Sequence, residues 1–150
     1  MTDSTAVDTV TQQVAVVDDF LRALADGDLD TAAALLDDDL LYQNVGLPSI
    51  RGGRRTIALF RRMLRAGRFD VVVHRASGDG AGIVLNERTD LLAVGPFVLT
   101  FWVCGVFEVR DGRIILWRDY FDFLTMLTAT CRALVGVVVP GLRPQLSRAR

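Results

Sequence analysis

Five polar residues lie in segments whose apolar alternation is typical of half-buried strands. They are Tyr42 and Asn44 in L-Y-Q-N, Arg88 and Asp90 in E-R-T-D, and Asp119 in L-W-R-D-Y. Burying a charged side chain is costly unless it is paired and hydrogen-bonded. A phenol, an amide, a guanidinium and two carboxylates at such positions therefore indicate a site. Two carboxylates held in different protonation states can remove one proton and deliver another.

Strand alternation predicts which of these side chains are neighbours. Residues i and i+2 of a strand point to the same face. Tyr42 and Asn44 are therefore predicted to lie side by side, as are Arg88 and Asp90. The apolar residues that alternation places beside Asp119 are Ile115, Trp117 and Phe121. Polar groups set among apolar ones in this way are the pattern of a ligand pocket.

The first half of the chain contains the predicted helices. Valines and leucines recur at three- and four-residue spacing up to Leu24, which predicts an amphipathic helix ending near Gly27. Asp28 is placed to cap a short helix that runs through Leu36, and residues 40–45 are predicted to form a strand. After a loop that contains Gly46, residues 54–66 have an apolar face opposite a row of arginines, which predicts a helix covering a sheet with its arginines in solvent.

The second half is predicted to be mostly strands, over residues 69–76, 83–94, 97–109 and 113–121, separated by glycine-containing turns. A last helix is predicted over residues 123–134, after which a tail from about residue 136 is expected to be extended or partly disordered. The 150 residues fit one domain. Helices followed by a long meander predict an α+β fold, with helices packed on one face of a curved, mostly antiparallel sheet.

Composition excludes several functional classes. Seventeen basic residues, all of them arginine, balance eighteen acidic ones, so the charge does not indicate binding to nucleic acid. The absence of lysine excludes a Schiff-base mechanism. The two cysteines are too few for a disulfide framework, and the single histidine, His74, argues against both a metal site and a catalytic triad.

The chain carries no segment predicted to direct it to a membrane. Its N-terminus lacks a basic region followed by an apolar core, so no secretory signal is predicted and a cytoplasmic location is expected. Residues 91–107 are uncharged, but Gly95 and Pro96 interrupt them. Two buried strands joined by a tight turn are predicted there, with no stable membrane insertion.

Each candidate also has an ordinary structural interpretation. Arg88 and Asp90 could be a surface ion pair on the sheet. Tyr42 could be an aromatic residue at the edge of the core, and Asn44 could serve a strand end. Asp119 could pair with Arg118 instead of acting in a site.

Taken together, Y-x-N, E-R-x-D and W-R-D-Y-F-D occur in order between residues 41 and 122, and this region resembles the limonene-1,2-epoxide hydrolase family. The resemblance implies a cone-shaped, ketosteroid-isomerase-like α+β fold of three to four helices and a mixed sheet around a deep apolar pocket. It implies a homodimer and no cofactor. It also implies hydrolysis of an epoxide to a vicinal diol. A mean hydropathy of +0.32 and the few other polar groups available to line the pocket favour a bulky apolar epoxide of lipid, terpenoid or sterol type, with detoxification as an expected role.

The resemblance also implies a role for each candidate. Asp119 would activate a water molecule that Tyr42 and Asn44 hold, Asp90 would protonate the epoxide oxygen, and Arg88 would bridge the two carboxylates. Because an exposed Asp titrates near ~3.9, an acid that stays protonated near neutrality needs a pKa raised by roughly three units. Two other functions stay open on the sequence: an isomerase or cyclase acting on a steroid- or polyketide-like substrate, and a non-catalytic module that binds apolar ligands.

Overall fold

The computed structural model of the 150-residue chain describes residues 2–146, and their side chains from residue 7 onward. The helices in this part of the chain are α1 (Thr2–Asp26), α2 (Leu29–Ala34), α3 (Gly53–Ala66) and α4 (Phe123–Val138), followed by a 3-10 turn at Pro140–Leu142. The strands are β1 (Leu36–Asn44), β2 (Ile50–Arg51), β3 (Arg68–Gly78), β4 (Ile83–Val94), β5 (Phe97–Arg110) and β6 (Arg113–Tyr120).

The six strands form one mixed sheet in the order β2-β1-β6-β5-β4-β3. Strands β1 and β6 are parallel, whereas the other neighbouring strands are antiparallel. This arrangement confirms the predicted α+β class with a mostly antiparallel sheet. It also places β6 between β1 and β5, so that residues distant in the sequence become neighbours. The short strand β2 lies in a segment that was predicted to be a loop.

Helices α1 and α3 place their apolar stripes on one face of the sheet. Val17, Leu21 and Leu24 of α1 are buried, as are Ile57 and Phe60 of α3. Both helices join one apolar core that includes the indole of Trp117. The arginines of α3 that were predicted to face solvent are exposed: Arg55, Arg61, Arg62 and Arg65.

Aspartates begin two of the helices, and the one that begins α2 was predicted. The Asp28 carboxylate accepts the backbone N–H of Thr31 at 3.1 Å at the start of α2. At the start of α4, Asp122 accepts the N–H groups of Leu124 at 2.7 Å and Thr125 at 3.3 Å. Each carboxylate satisfies N–H groups that the first turn of a helix leaves unpaired.

Three predicted boundaries were wrong. Helix α2 ends at Ala34 and β1 begins at Leu36. Leu36 and Leu40 of this strand are buried in the core, whereas the acidic residues between them are partly or fully exposed. Those three aspartates interrupt the apolar alternation from which a strand is predicted.

Helix α4 runs through Gly136 and continues to Val138, just before Pro140, which cannot continue a helix. Residues 136–138 are therefore helical and not extended, whereas Arg143, after the 3-10 turn, has extended backbone. Residues 147–150 of the predicted tail lie outside the described residues.

A bulge corrects one prediction of side-chain direction. The pairing of β5 with β6 is irregular near Glu108 and Val109. Ile114 is consequently fully buried, in the position that strict alternation assigned to Ile115. Trp117 and Asp119 lie beyond the bulge and are both buried, as predicted.

The uncharged segment of residues 91–107 forms parts of β4 and β5 joined by a turn at Gly95, as predicted. Leu91 and Ala93 are buried on the sheet face opposite that of Asp90, whereas Val94 is half exposed. Helix α4 packs on β5 at the same end of the sheet. Among the described residues, no helix is both long and apolar enough to cross a membrane.

Candidate active site

Arg88 lies at the centre of a buried hydrogen-bonded group on the inner face of the sheet, which is the face that α1 and α3 cover. Its Nε–H donates to Asp90 Oδ1 at 2.9 Å, and its Nη2–H donates to Asp90 Oδ2 at 3.2 Å. Nη2 also donates to Asp119 Oδ2 at 2.6 Å. Arg88 is 0% exposed, and Asp90 and Asp119 are each 4% exposed. One guanidinium thus bridges two carboxylates from different strands, which excludes a surface ion pair.

Asp119 is held from two sides. Its Oδ2 accepts from Arg88, and its Oδ1 accepts the indole Nε1–H of Trp117 at 2.9 Å. The hydrogen bond from Arg88 joins two charged groups, and the one from Trp117 is buried; both are strong in an apolar environment. Together they fix the orientation of the carboxylate. The neighbouring Arg118, the alternative partner of Asp119, instead donates to Gln43 Oε1 at 2.8 Å.

Tyr42 and Asn44 reach the same site through the parallel pairing of β1 with β6. Asn44 is the Cα partner of Asp119, and Tyr42 is the Cα partner of Trp117. Asn44 Nδ2 donates to the Tyr42 hydroxyl at 2.8 Å. The Tyr42 ring lies against the Trp117 indole with a centroid separation of 4.3 Å. The structure therefore brings all five predicted residues to one region of the inner face.

Burial and neighbouring charges shift the pKa values of three groups in this site, namely Asp90, Tyr42 and Arg88. Burial raises the pKa of Asp90 to about 6, against the lowering effect of Arg88 and with a further raising effect of Asp119. Burial and then the Asp119 charge raise the pKa of Tyr42, so its phenol stays neutral. Burial alone would lower the pKa of Arg88, but Asp119 and Asp90 raise it above its ordinary value. The site therefore contains a permanent cation and an Asp able to hold a proton near neutrality.

No group of three or more metal-ligating side chains occurs in the part of the chain that the structure describes. His74 Nε2 lies 2.8 Å from Thr89 Oγ1, away from the five candidates. The arrangement is suited to proton transfer by side chains alone, because it holds two carboxylates around one guanidinium.

Sequence reasoning missed the role of two residues in the site. Asn86 is buried, and its Oδ1 accepts from Arg88 Nη1 at 3.2 Å. The signal was present, because alternation places Asn86 on the face of Arg88 and Asp90. Trp117 was predicted only as an apolar neighbour of Asp119. Alternation places the two residues on one face, but it does not distinguish an indole that only packs from one that also donates to the carboxylate.

Comparison with known proteins adds to this geometry. The model of the limonene-1,2-epoxide hydrolase (LEH) catalytic domain matches residues 11–132. Epoxide hydrolase EphG of Mycobacterium tuberculosis is 56% identical over 130 residues, which cover 87% of each chain. The solved structure of an M. tuberculosis LEH-like epoxide hydrolase has 54% identity and a TM-score of 0.88, covering 91% of this chain and 97% of the other.

More distant structures share the fold. A ketosteroid isomerase-like protein from Kribbella flavida superposes with a TM-score of 0.64 at 20% identity, over 75% of this chain and 79% of that one. At this identity the likeness concerns the cone-shaped α+β fold alone. The family model and the close relatives, by contrast, cover the segments that carry the bridged carboxylates. The chain therefore belongs to the limonene-1,2-epoxide hydrolase family and is an epoxide hydrolase.

Proposed function

We propose that this epoxide hydrolase adds water to an apolar epoxide in one step, without a cofactor, and releases a vicinal diol. The observation that carries the proposal is the bridge that Arg88 makes between Asp90 and Asp119 in a nearly water-free environment. Opening an epoxide requires one group that takes a proton from water and another that gives a proton to the alkoxide. Two linked carboxylates with one proton between them meet both needs.

Asp119 is the proposed base. With Oδ1 and Oδ2 oriented by Trp117 and Arg88, it takes a proton from a water molecule as the water oxygen bonds to an epoxide carbon. Tyr42 and Asn44 supply the remaining acceptor and donor for that water, because the phenol oxygen and the amide lie on the adjacent strand.

Asp90 is the proposed acid. Its raised pKa of about 6 keeps a useful fraction protonated near neutrality. As the carbon–oxygen bond of the epoxide breaks, Asp90 gives its proton to the departing oxygen. Asp119 has gained a proton by then, so the pair and Arg88 have the same total charge before and after the step. Return of one proton from Asp119 to Asp90 completes the cycle.

The proposed substrate is a bulky apolar epoxide of lipid, terpenoid or sterol type. The chain has a mean hydropathy of +0.32, and the core around the bridge consists largely of aliphatic and aromatic side chains. Because both carboxylates are only 4% exposed, entry of the substrate requires side chains that cover them to move. An apolar epoxide would replace those contacts without leaving polar groups unpaired.

Diol formation from a panel of epoxides, from small terpenoid through fatty acid to sterol, tests the proposal. The proteins compared are wild type, Asp90→Asn, Asp119→Asn and the control Asp39→Asn, which changes an exposed carboxylate on β1. Turnover by wild type and by the control, with loss in both site variants, is expected. Full activity in either site variant would contradict the assigned roles.

Single-turnover hydrolysis in oxygen-18 water tests the one-step scheme. Direct attack by water puts the label in the diol during the first turnover. An unlabelled first product would mean that a carboxylate oxygen had attacked the epoxide and formed an ester intermediate.

The sequence left two other functions open, an isomerase or cyclase and a non-catalytic binding module. Isomerase or cyclase chemistry needs one base and an oxyanion donor, whereas this site has a bridged acid and base. Membership of the hydrolase family favours hydrolysis over both alternatives.

A homodimer, a cytoplasmic location and a detoxifying role complete the proposal. Helix α4 exposes large apolar side chains that a partner subunit would cover: Leu124, Leu127, Leu134 and Val138. Sedimentation equilibrium of wild type and Leu127→Glu tests the dimer. The expected result is a dimer that the charged variant weakens, whereas a wild-type monomer at all concentrations would contradict it.

A further inference from the structure

Asn86 is the third hydrogen-bond partner of the Arg88 guanidinium, after Asp90 and Asp119. It is 4% exposed, lies on the same face of β4 as Arg88, and accepts from Nη1 at 3.2 Å through Oδ1. Asp90 and Asp119 occupy Nε and Nη2. The guanidinium is therefore held by acceptors on opposite edges of its plane, which fixes its direction along the sheet.

Gly105 leaves the space that this arrangement needs. On β5 it is the Cα partner of Asn86 on one side and of Asp119 on the other. A Cβ at this position would lie 2.5 Å from Asn86 Oδ1 and 2.8 Å from Phe107 Cε2, and would also overlap Arg88 Nη1. The Arg88 side chain thus crosses β5 over the backbone of Gly105 to reach the carboxylate on β6.

The amide at position 86 provides an acceptor without adding charge. One guanidinium, two carboxylates and one shared proton have a formal charge of zero, and a third carboxylate would disturb that balance. The charged and titratable side chains that act on this cluster are those of the site itself: Tyr42, Arg88, Asp90 and Asp119. The Cα partners of Arg88 on β3 and β5 are Val73 and Val103, which are uncharged.

Stability alone does not account for Asn86. Its Nδ2 is buried without a hydrogen-bond partner among the described residues. A buried donor without a partner is destabilising, and an apolar residue of similar size avoids that cost. The contact that Asn86 does make is the one with Arg88.

We infer that Asn86 is a positioning residue for the hydrolysis. Its side-chain oxygen holds the Arg88 guanidinium where both Asp90 and Asp119 can bind it, and the absence of a side chain at Gly105 leaves room for this arrangement. Asn86 acts through Arg88 and does not touch the substrate. The inference rests on the roles proposed above for the bridged carboxylates.

Two substitutions separate positioning from packing. Asn86→Leu keeps the volume and removes the acceptor, so kcat is expected to fall about 10²-fold with little change in KM. Stability to urea should change little, because removal of the unpaired Nδ2 offsets the loss of an acceptor for Arg88 Nη1. Asn86→Asp keeps the shape and adds a carboxylate, which should move the high-pH limb of kcat/KM upward by about one unit. The control Thr89→Val removes a hydroxyl that contacts His74 on the outer face of β4, and should change neither quantity.

The outcomes distinguish this inference from the proposed function. Wild-type kcat and an unshifted pH profile in both Asn86 variants, in an enzyme that Asp90→Asn inactivates, would overturn the role of Asn86 alone. Turnover by Asp90→Asn would instead contradict the proposed function. If Asn86→Leu does not fold, the Asn86→Asp profile decides, and an unshifted limb counts against the inference. Gly105→Ala should also lower kcat, and wild-type kcat in that variant would overturn the role of Gly105.

Discussion

Trp117 and Asp119 are two residues apart on β6, and the Trp117 Nε1–H donates to Asp119 Oδ1 at 2.9 Å. The same indole contacts Tyr42, Phe60 and Phe107 in the core. A core side chain thus orients a carboxylate of the site directly. Packing of the core and geometry of the site are therefore coupled through one residue.

Trp117→Phe separates these two effects. The smaller ring leaves a cavity that should cost about 1–3 kcal/mol of unfolding free energy, and the lost hydrogen bond should lower kcat by roughly tenfold. Urea unfolding and diol formation measure the two quantities. Phe20→Leu is the control, because Phe20 packs edge-on against the indole from α1 and has no group that donates a hydrogen bond to a carboxylate. A similar loss of kcat in both variants would mean that packing alone is responsible.

Activity should depend on pH through the proton on Asp90. With a pKa of about 6, the acid form is lost above that pH, so kcat/KM is expected to fall between about pH 6 and pH 8. A pH profile on a neutral epoxide measures this limb. A flat profile across that range would contradict Asp90 as the acid.

The same group makes stability depend on pH. Its pKa of about 6 in the folded protein exceeds the value of about 3.9 for an exposed Asp. The folded state therefore binds more protons between about pH 4 and pH 6, and the stability contribution of Asp90 falls as pH rises through that window. Urea midpoints of wild type and Asp90→Asn should accordingly diverge, with wild type losing stability relative to the variant. Urea midpoints that change with pH by the same amount in both proteins would indicate that the pKa of Asp90 is not raised.

Tyr42→Phe should affect the reaction more than the fold. The ring would keep its contact with Trp117, while the hydroxyl that accepts from Asn44 is lost. We expect kcat to fall by about 10- to 100-fold, since the attacking water loses one of its orienting partners. Steady-state kinetics beside thermal unfolding checks this. Unchanged kcat would remove Tyr42 from the proposed water site.

Arg88 should matter to the fold as well as to the site. Arg88→Met leaves two buried carboxylates without their cation, and the unfolding free energy should fall by about 3–5 kcal/mol. Adding Asp90→Asn and Asp119→Asn to that variant should restore part of the loss, since the uncompensated charges are then removed. Urea unfolding of the single and triple variants measures both effects. A loss of under about 1 kcal/mol in Arg88→Met would show that the bridge contributes little.

Much of the site could be predicted because it lies on regular strands. Arg88 and Asp90, like Tyr42 and Asn44, are two residues apart, and the two-residue period of a strand determines that such side chains share a face. Asn86 follows the same rule, but it belongs to no short motif, and an isolated Asn usually indicates a turn. The helices that cover the sheet were predicted from their apolar periodicity, because burial of a stripe selects for that spacing.

The sequence by itself determined which residues share each strand face and which apolar stripes need covering, because both depend on local backbone periods. Only the tertiary structure decided that β6 lies between β1 and β5, which brings Asp119 beside Asn44 and within reach of Arg88. Strand order depends on long-range pairing that no local pattern encodes. The crossing over Gly105 was equally hidden, since a glycine in a strand shows its purpose only when the neighbouring strands are in place.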